Sequence, residues 1–326
     1  MPAHLRIRSL LAFAAILLAA ASPAGARIDR PYEDLVVEYP EANESLAHLV
    51  AELYPELKGE VAHHVGRPYG IATRVVLCTN RAELVATLGG GEPPEWALAV
   101  ARPGAGLIAI RISGLDSLAG NLRSTLAHEM THLALGEIER RAGRPLPRWF
   151  DEGVCEWASR SLHLGAGEDL TLAAASDRLL PLAEIAEEFP EDSGDASLAY
   201  LESRFFVEDL AERHGRRVVA KILDRFEAGE DFDAAFEIET GESVREAEAR
   251  WKAQVTPRFP KLWLLVRGMT LFSIAALLVV LAYARKRRRA RRILDRWEAE
   301  EAGNTEEEDL GGPAEEGPWN DERKGC

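Results

Sequence analysis

His128, Glu129 and His132 stand in the run STLAHEMTHLALG at spacings that suit metal-assisted hydrolysis. Residues four apart share one face of a helix, so the two imidazoles can grip a single ion together. Glu129 follows the first histidine by one position, where its carboxylate can take a proton from water activated by that ion. The flanks predict a helix. Leu122, Leu126, Leu133 and Leu135 supply apolar positions, Ser117 or Asn121 is placed to cap the start, and Gly136 to end it. The bland alternative is a chance pattern, with both histidines satisfied by ordinary partners. A second stretch weighs against chance: PRWFDEGVCEW, from Pro147 to Trp157. Its Glu152 lies 20 positions after His132, enough chain to close one helix, turn, and bring a second back across the first. Catalytic zinc takes three protein ligands and keeps a fourth position open, and two histidines with a glutamate are a known set, which Glu152 would complete. Gly153 beside it lets two helix backbones approach closely. Glu156, four residues on, shares the face of Glu152 and can accept the second ring N–H of a ligand histidine, fixing its tautomer.

At these residues the chain resembles the gluzincin metallopeptidases, in which HExxH is followed by a glutamate ligand on a later helix, often inside a W-x-x-E-G phrase. It is most similar to the peptidase MA-like family, relatives of the aminopeptidase N and thermolysin catalytic domains. HEMTH and RWFDEG carry the likeness; a weaker similarity runs from about Leu35 to Trp251, including SLAYLESRFFVEDLAERHG and TGESVREAEARW. The resemblance implies one Zn2+ per chain on His128, His132 and Glu152, Glu129 as general base, and a peptide or protein substrate. It also implies a tyrosine near position 200 whose hydroxyl reaches the substrate carbonyl oxygen, for which Tyr200 is the candidate; on an apolar helix such a residue is more often core. His214 is a candidate for the same work or a charge at a helix C-terminus. The chain departs from the thermolysin type in carrying Glu156 where an aspartate supports the ligand histidine. No Gly-Ala-Met-Glu-Asn phrase for a free amino terminus is present, which points towards internal cleavage.

The 326 residues carry a formal charge of −15, which excludes nucleic acid as a partner. Residues 1–26 read as a secretory signal: a basic start, an apolar stretch from Leu10 to Ala21, and Ala24-Gly25-Ala26 as cleavage site, the alternative being an uncleaved anchor. Leu262 to Ala284 reads as a transmembrane helix, with Arg267 near one end. Seven basic residues follow in RKRRRARR, marking the cytoplasmic side, so the catalytic domain is expected outside the cytoplasm and the acidic tail from Glu298 within it. Cys78 and Cys155 then lie in the exported part, where either buried thiols or a bridge between them is allowed; Cys326 lies in the tail.

The supporting elements follow from periodicity. DLVVEY (Asp34–Tyr39) and Ile71–Cys78 read as strands, Trp96–Ala101 and Leu107–Ile112 as a hairpin around Arg102 to Gly106. In the resembling enzymes the strand before the metal helix is a sheet edge that pairs with extended substrate, placed here at Trp96–Val100; the alternative is ordinary core sheet. Helices are expected at Ala42–Val65, with Asn43 or Ser45 as cap and His63 and His64 at a solvated end, and at Asn80–Leu88. Beyond Trp157 they are expected at Glu168–Arg178, Leu182–Glu188, Ser197–Arg213, Arg217–Ala228 and Ser243–Val255. The expected fold is α+β and zincin-like: a sheet lobe over 27–115, a helical lobe over 116–258, the site between them, and one C-terminal span. Zinc-dependent peptide hydrolysis at the outer face of a cell membrane is the function this favours. A metal-binding sensor without turnover and a hydrolase of a non-peptide bond are the alternatives; oligomeric state has no signal.

Overall fold

Short apolar runs rich in β-branched residues build a five-stranded mixed sheet in the order β1-β2-β3-β5-β4. The computed structural model describes residues 27–113, 118–160 and 166–257, and further along 273, 275–294 and 296–297. The strands are β1 (Arg27–Tyr32), β2 (Leu35–Pro40), β3 (Thr73–Cys78), β4 (Ala99–Arg102) and β5 (Leu107–Arg111). The inner three, β2, β3 and β5, run parallel, and their Val37, Val75, Leu77, Ile108 and Ile110 are buried. The outer strands are antiparallel to their neighbours, β1 on β2 and β4 on β5, with Val100 opposite Ala109. So β4 is an edge. It begins at Ala99, three residues later than the Trp96 start read from sequence, and Trp96 precedes it with 45% of its surface exposed. Nothing in RIDRPY alternates in polarity, which is why β1 left no trace in the pattern; the turn at Glu33 (φ 35°) folds it back onto β2.

Helix α1 (Glu44–Val65) buries Val50, Leu57 and Val61, and Asn43 precedes it without a side-chain cap. Its end is solvated at His63, which is exposed, but not at His64. His64 is buried, with Nδ1 2.8 Å from the Glu60 carbonyl oxygen and its ring edge-on to Trp157 at 4.5 Å. Helix α2 (Arg81–Leu88) is capped by Asn80, whose side chain accepts the Glu83 amide.

Helix α3 (Leu118–Ala142) carries the HEMTH run. It does not stop at Gly136. A Cβ there would lie 2.2 Å from Pro103 Cβ, so this glycine lets the β4–β5 turn rest on the helix, and the chain leaves the helix at Gly143 (φ 71°). Asn121 lies inside α3 and so does not cap it; Ser117 lies outside the described residues.

Helix α4 (Arg148–Ser159) returns across α3, followed by α5 (Ala166–Ala175), α6 (Ser193–His214), α7 (Val218–Glu227), α8 (Phe232–Thr240) and α9 (Val244–Val255). Leu182–Glu188 is a turn segment and not a helix: the amides of Leu180 and Leu182 are taken by side chains, Glu202 Oε1 at 2.8 Å and Glu248 Oε1 at 2.9 Å. Helix α8 was not legible, although Asp231 caps it by accepting the Asp233 amide. Trp149, Phe150, Phe206, Phe232 and Trp251 pack edge to face, Phe236 stacks on Phe206, and together they lock the start of α4 to α6, α8 and α9.

Cys78 and Cys155 are both buried and not bridged. Cys78 packs with Leu84 and Leu88 in a small cluster, Cys155 in the main core, so the expectation of a possible bridge gives way to two thiols.

The chain divides into two units, Met1–Pro260 and Lys261–Cys326. In the second, residues 275–294 are helical, and Leu277, Leu278, Val279, Val280, Leu281 and Tyr283 are exposed. Among the described residues no helix is long and apolar enough to cross a membrane. The signal read at 1–26, most of the span read at 262–284 and the tail from Glu298 lie outside them.

Candidate metal centre

Three side chains from two crossing helices converge. His128 and His132, one turn apart on α3, place their Nε2 atoms 3.1 Å apart. Glu152 comes from α4 and sets Oε2 3.3 Å from both nitrogens. Gly153 makes that approach possible: a Cβ there would stand 2.5 Å from the Ser203 carbonyl oxygen and 2.8 Å from Val207 Cγ2, so α4 lies directly against the backbone of α6.

The triangle fits a metal ion. Zinc bonds to imidazole nitrogen and carboxylate oxygen run about 2.0–2.2 Å, and tetrahedral angles then put ligand atoms about 3.3–3.5 Å from one another. The observed separations of 3.1, 3.3 and 3.3 Å come close to this. Glu152 Oε2 is buried without a hydrogen-bond partner, a costly condition for a carboxylate oxygen unless a cation meets it. Electrostatics agree. Burial alone would depress the His128 imidazole, yet the Glu152 and Glu156 carboxylates push it up to about 10. Burial alone would raise Glu152, and His132 and His128 hold it well below the usual carboxylate range. The pocket therefore favours positive charge at its centre.

Each ring has a carboxylate behind it. His128 Nδ1 lies 3.4 Å from Glu156 Oε1, and His132 Nδ1 lies 3.0 Å from Asp151 Oδ2. An Nδ1–H donated to a carboxylate leaves the Nε2 lone pair directed at the shared centre. Sequence reasoning placed Glu156 near a histidine but passed over Asp151. Neighbours on a helix diverge by about 100°, so spacing alone does not bring both 151 and 152 to the histidines. Glu152 meets the Nε2 atoms, while Asp151 reaches the Nδ1 of His132. Cys155 is also near, its sulfur within 4.8 Å of a ring nitrogen of each histidine. Burial pushes that thiol well above its ordinary range, so it stays protonated.

Glu129 is buried beside the triangle, 7% exposed, and burial raises its carboxyl. The backbone amide of Ala101 in β4 hydrogen-bonds it, tying the edge strand to the site. Tyr200 on α6 donates its hydroxyl to Glu152 Oε1 at 3.4 Å, and burial next to Glu152 pushes its pKa up, which keeps it a donor. Its ring meets Trp96 at 5.9 Å and Phe189 at 4.9 Å, both edge to face. His214 stands at the other end of α6, 14 residues on, or about 21 Å along a helix. Its Nε2 lies 3.8 Å from Glu242, and it takes no part here.

A mixed sheet with β4 at its edge, laid against a helix that bears two histidines and crossed by a helix that bears a glutamate, defines an α+β domain of zincin-like build. The family model of the peptidase MA superfamily matches residues 91–257, half of the chain, from just before the edge strand to the end of α9. The chain belongs to the peptidase MA superfamily, and its domain is peptidase-like. It is also 27% identical over 128 residues to the uncharacterized protein YhcO of Bacillus subtilis (strain 168), a match that spans 39% of this chain and 38% of that protein.

Proposed function

We propose that this chain is a membrane-anchored, zinc-dependent metallopeptidase of the gluzincin type that hydrolyses peptide bonds outside the cytoplasm. The observation that carries the reading is the triangle of His128 Nε2, His132 Nε2 and Glu152 Oε2, with the carboxylate of Glu129 buried alongside. When bound, a zinc ion polarises a carbonyl and acidifies water. Glu129 takes the proton from the attacking water and passes it to the leaving amine; burial among apolar neighbours, which raises its carboxyl, suits it to hold that proton in between. Tyr200, kept protonated, turns its hydroxyl from Glu152 to the developing oxyanion. Extended substrate pairs with the free edge of β4, which runs past Glu129 through Ala101.

Anchoring is supported by the apolar run Leu262–Ala284 and the basic cluster after it, and by the exposed leucines and valines of residues 277–281, which water does not favour. Residues 1–26 serve as the export signal in this reading. The domain then faces outward and the tail inward.

The test compares Glu152→Ala with the unaltered chain. Zinc per chain, by elemental analysis, should be about one for the latter and fall sharply for the variant, with hydrolysis of a mixed peptide library lost alongside and restored in the parent by zinc after chelation. Full zinc content in Glu152→Ala would remove the third ligand and with it the reading.

A further inference from the structure

A carboxylate can bind a metal through one oxygen or both, and the first leaves more of the coordination shell open. Glu152 is arranged for one. Its Oε2 faces the two Nε2 atoms, whereas its Oε1 lies 2.6 Å from Arg148 Nη2 and 3.4 Å from the Tyr200 hydroxyl. We propose that Arg148 is a positioning residue: its guanidinium occupies Glu152 Oε1 and restricts Glu152 to one-oxygen ligation, keeping a coordination position open for substrate. This rests on the metal reading above and adds to it a device for holding the coordination number down.

Helix stability does not account for the ion pair. Arg148 is the first residue of α4, where the helix dipole disfavours a cation. In an i,i+4 pair the acid is better placed N-terminal to the base, the reverse of what stands here. A local arrangement that runs against both rules is explained by what the guanidinium does to its partner. The geometry suits that work. Glu152 is 2% exposed and Arg148 46%, so the bond sits at the rim where one end is dry, and the guanidinium lies 5.9 Å over the Phe189 ring. Arginine stays charged at any working pH, and its bond to a carboxylate is charge-assisted. Tyr200 hydrogen-bonds the same guanidinium, so Arg148 also fixes where the hydroxyl waits.

One helix then supplies the partner of every ligand: Asp151 for His132, Glu156 for His128 and Arg148 for Glu152, at positions that recur along one side of α4.

The test uses the purified full chain loaded with cobalt(II) in place of zinc, read by visible absorption and by X-ray absorption fine structure. Four-coordinate cobalt absorbs more strongly than five- or six-coordinate cobalt. Arg148→Ala should lower the visible absorption and add one oxygen to the shell, with turnover down about 10–100-fold, the usual range for partners of ligands. Added guanidinium should restore both. Arg148→Met, which keeps the aliphatic stem over Phe189, should behave as the alanine variant does and serves if that one folds poorly. Folded variants with the parent's cobalt spectrum would overturn the proposal and leave the metal site standing. A parent chain that takes up no stoichiometric metal would instead overturn the site itself.

Discussion

Helices α3 and α4 cross at one point and do different work there. In the proposed function α3 supplies two ligands and the base, all within the five residues His128 to His132. On the same proposal α4 supplies one ligand, Glu152, together with the groups that would orient all three ligands, spread over the nine residues from Arg148 to Glu156. Chemistry is concentrated on the first helix and its aim on the second. Loss of a group on α3 should stop turnover outright; loss of an orienting group on α4 should loosen the site by degrees.

The largest effect is expected on α3. Glu129→Gln removes a base and no ligand, so zinc per chain should stay at the parent level while turnover falls by at least roughly a hundredfold, the lower end of general-base contributions. If zinc is lost together with activity, Glu129 is holding the metal and the division between the helices fails.

On α4 the losses should be smaller and shared. Asp151→Asn and Glu156→Gln each leave a ring nitrogen with a weaker partner, and about 10–100-fold in zinc affinity or activity is expected from either. His132 Nδ1 is the closer of the two to its acid, 3.0 against 3.4 Å, so Asp151→Asn should cost more. Zinc dissociation constants from chelator competition rank the pair. The reverse order would mean that separation from the ring does not set the contribution.

How far sequence reveals each helix follows the same division. The meeting of the two histidines beside Glu129 was legible because residues four apart share one helix face, and that spacing is visible in a string. Glu152 was legible through its phrase. Arg148 and Asp151 were not, because an orienting group is defined by which side of a ring it reaches, and that depends on the crossing angle of two helices. The glycines divide alike. Gly153 was read as a point of close approach; Gly136 was read as a helix end, when it too is a contact, made with Pro103 from a distant turn. Most strands and long helices were legible from alternation and periodicity. Leu182–Glu188 misled because its apolar spacing is helical while the amides at its entrance, of Leu180 and Leu182, are held by Glu202 and Glu248.

Those two glycines sharpen the comparison further. Gly153→Ala drives a methyl into the Ser203 carbonyl, and Gly136→Ala drives one into Pro103. Each should cost about 1–3 kcal/mol of stability, as overpacking does. Only Gly153→Ala should also weaken zinc binding, since the shift it forces on α4 moves Glu152, whereas the turn at Pro103 can yield without moving a ligand. Urea midpoints together with zinc titration separate the two. Equal zinc affinities would show that α4 keeps its aim despite the strain.

The smallest effect on turnover is expected at Glu202, whose consequence is instead for stability against pH. Its side chain on α6 is fully buried; Oε1 accepts the Leu180 amide and Oε2 has no hydrogen-bond partner. Burial pushes its carboxyl up to about 7, from 4.5, with Lys252 only partly offsetting that. The folded-state value is therefore above the unfolded one. Between about pH 4.5 and 7 the unfolded chain has given up a proton that the folded chain still holds, so rising pH favours unfolding across that window. The slope is about 1.4 kcal/mol per pH unit and the total about 3 kcal/mol, with no further change above pH 7 once both states are ionised. Glu202→Gln keeps the acceptor for Leu180 and cannot ionise. Its stability relative to the parent should thus grow from near zero at pH 4.5 to a plateau above pH 7, while zinc content and turnover match the parent. Urea midpoints for the two proteins at pH 5, 6, 7 and 8 measure that difference, and the titration of the metal centre, common to both, cancels in it. Parallel curves would mean that the carboxyl ionises at an ordinary pH, with a counter-charge reaching Oε2 inside the core.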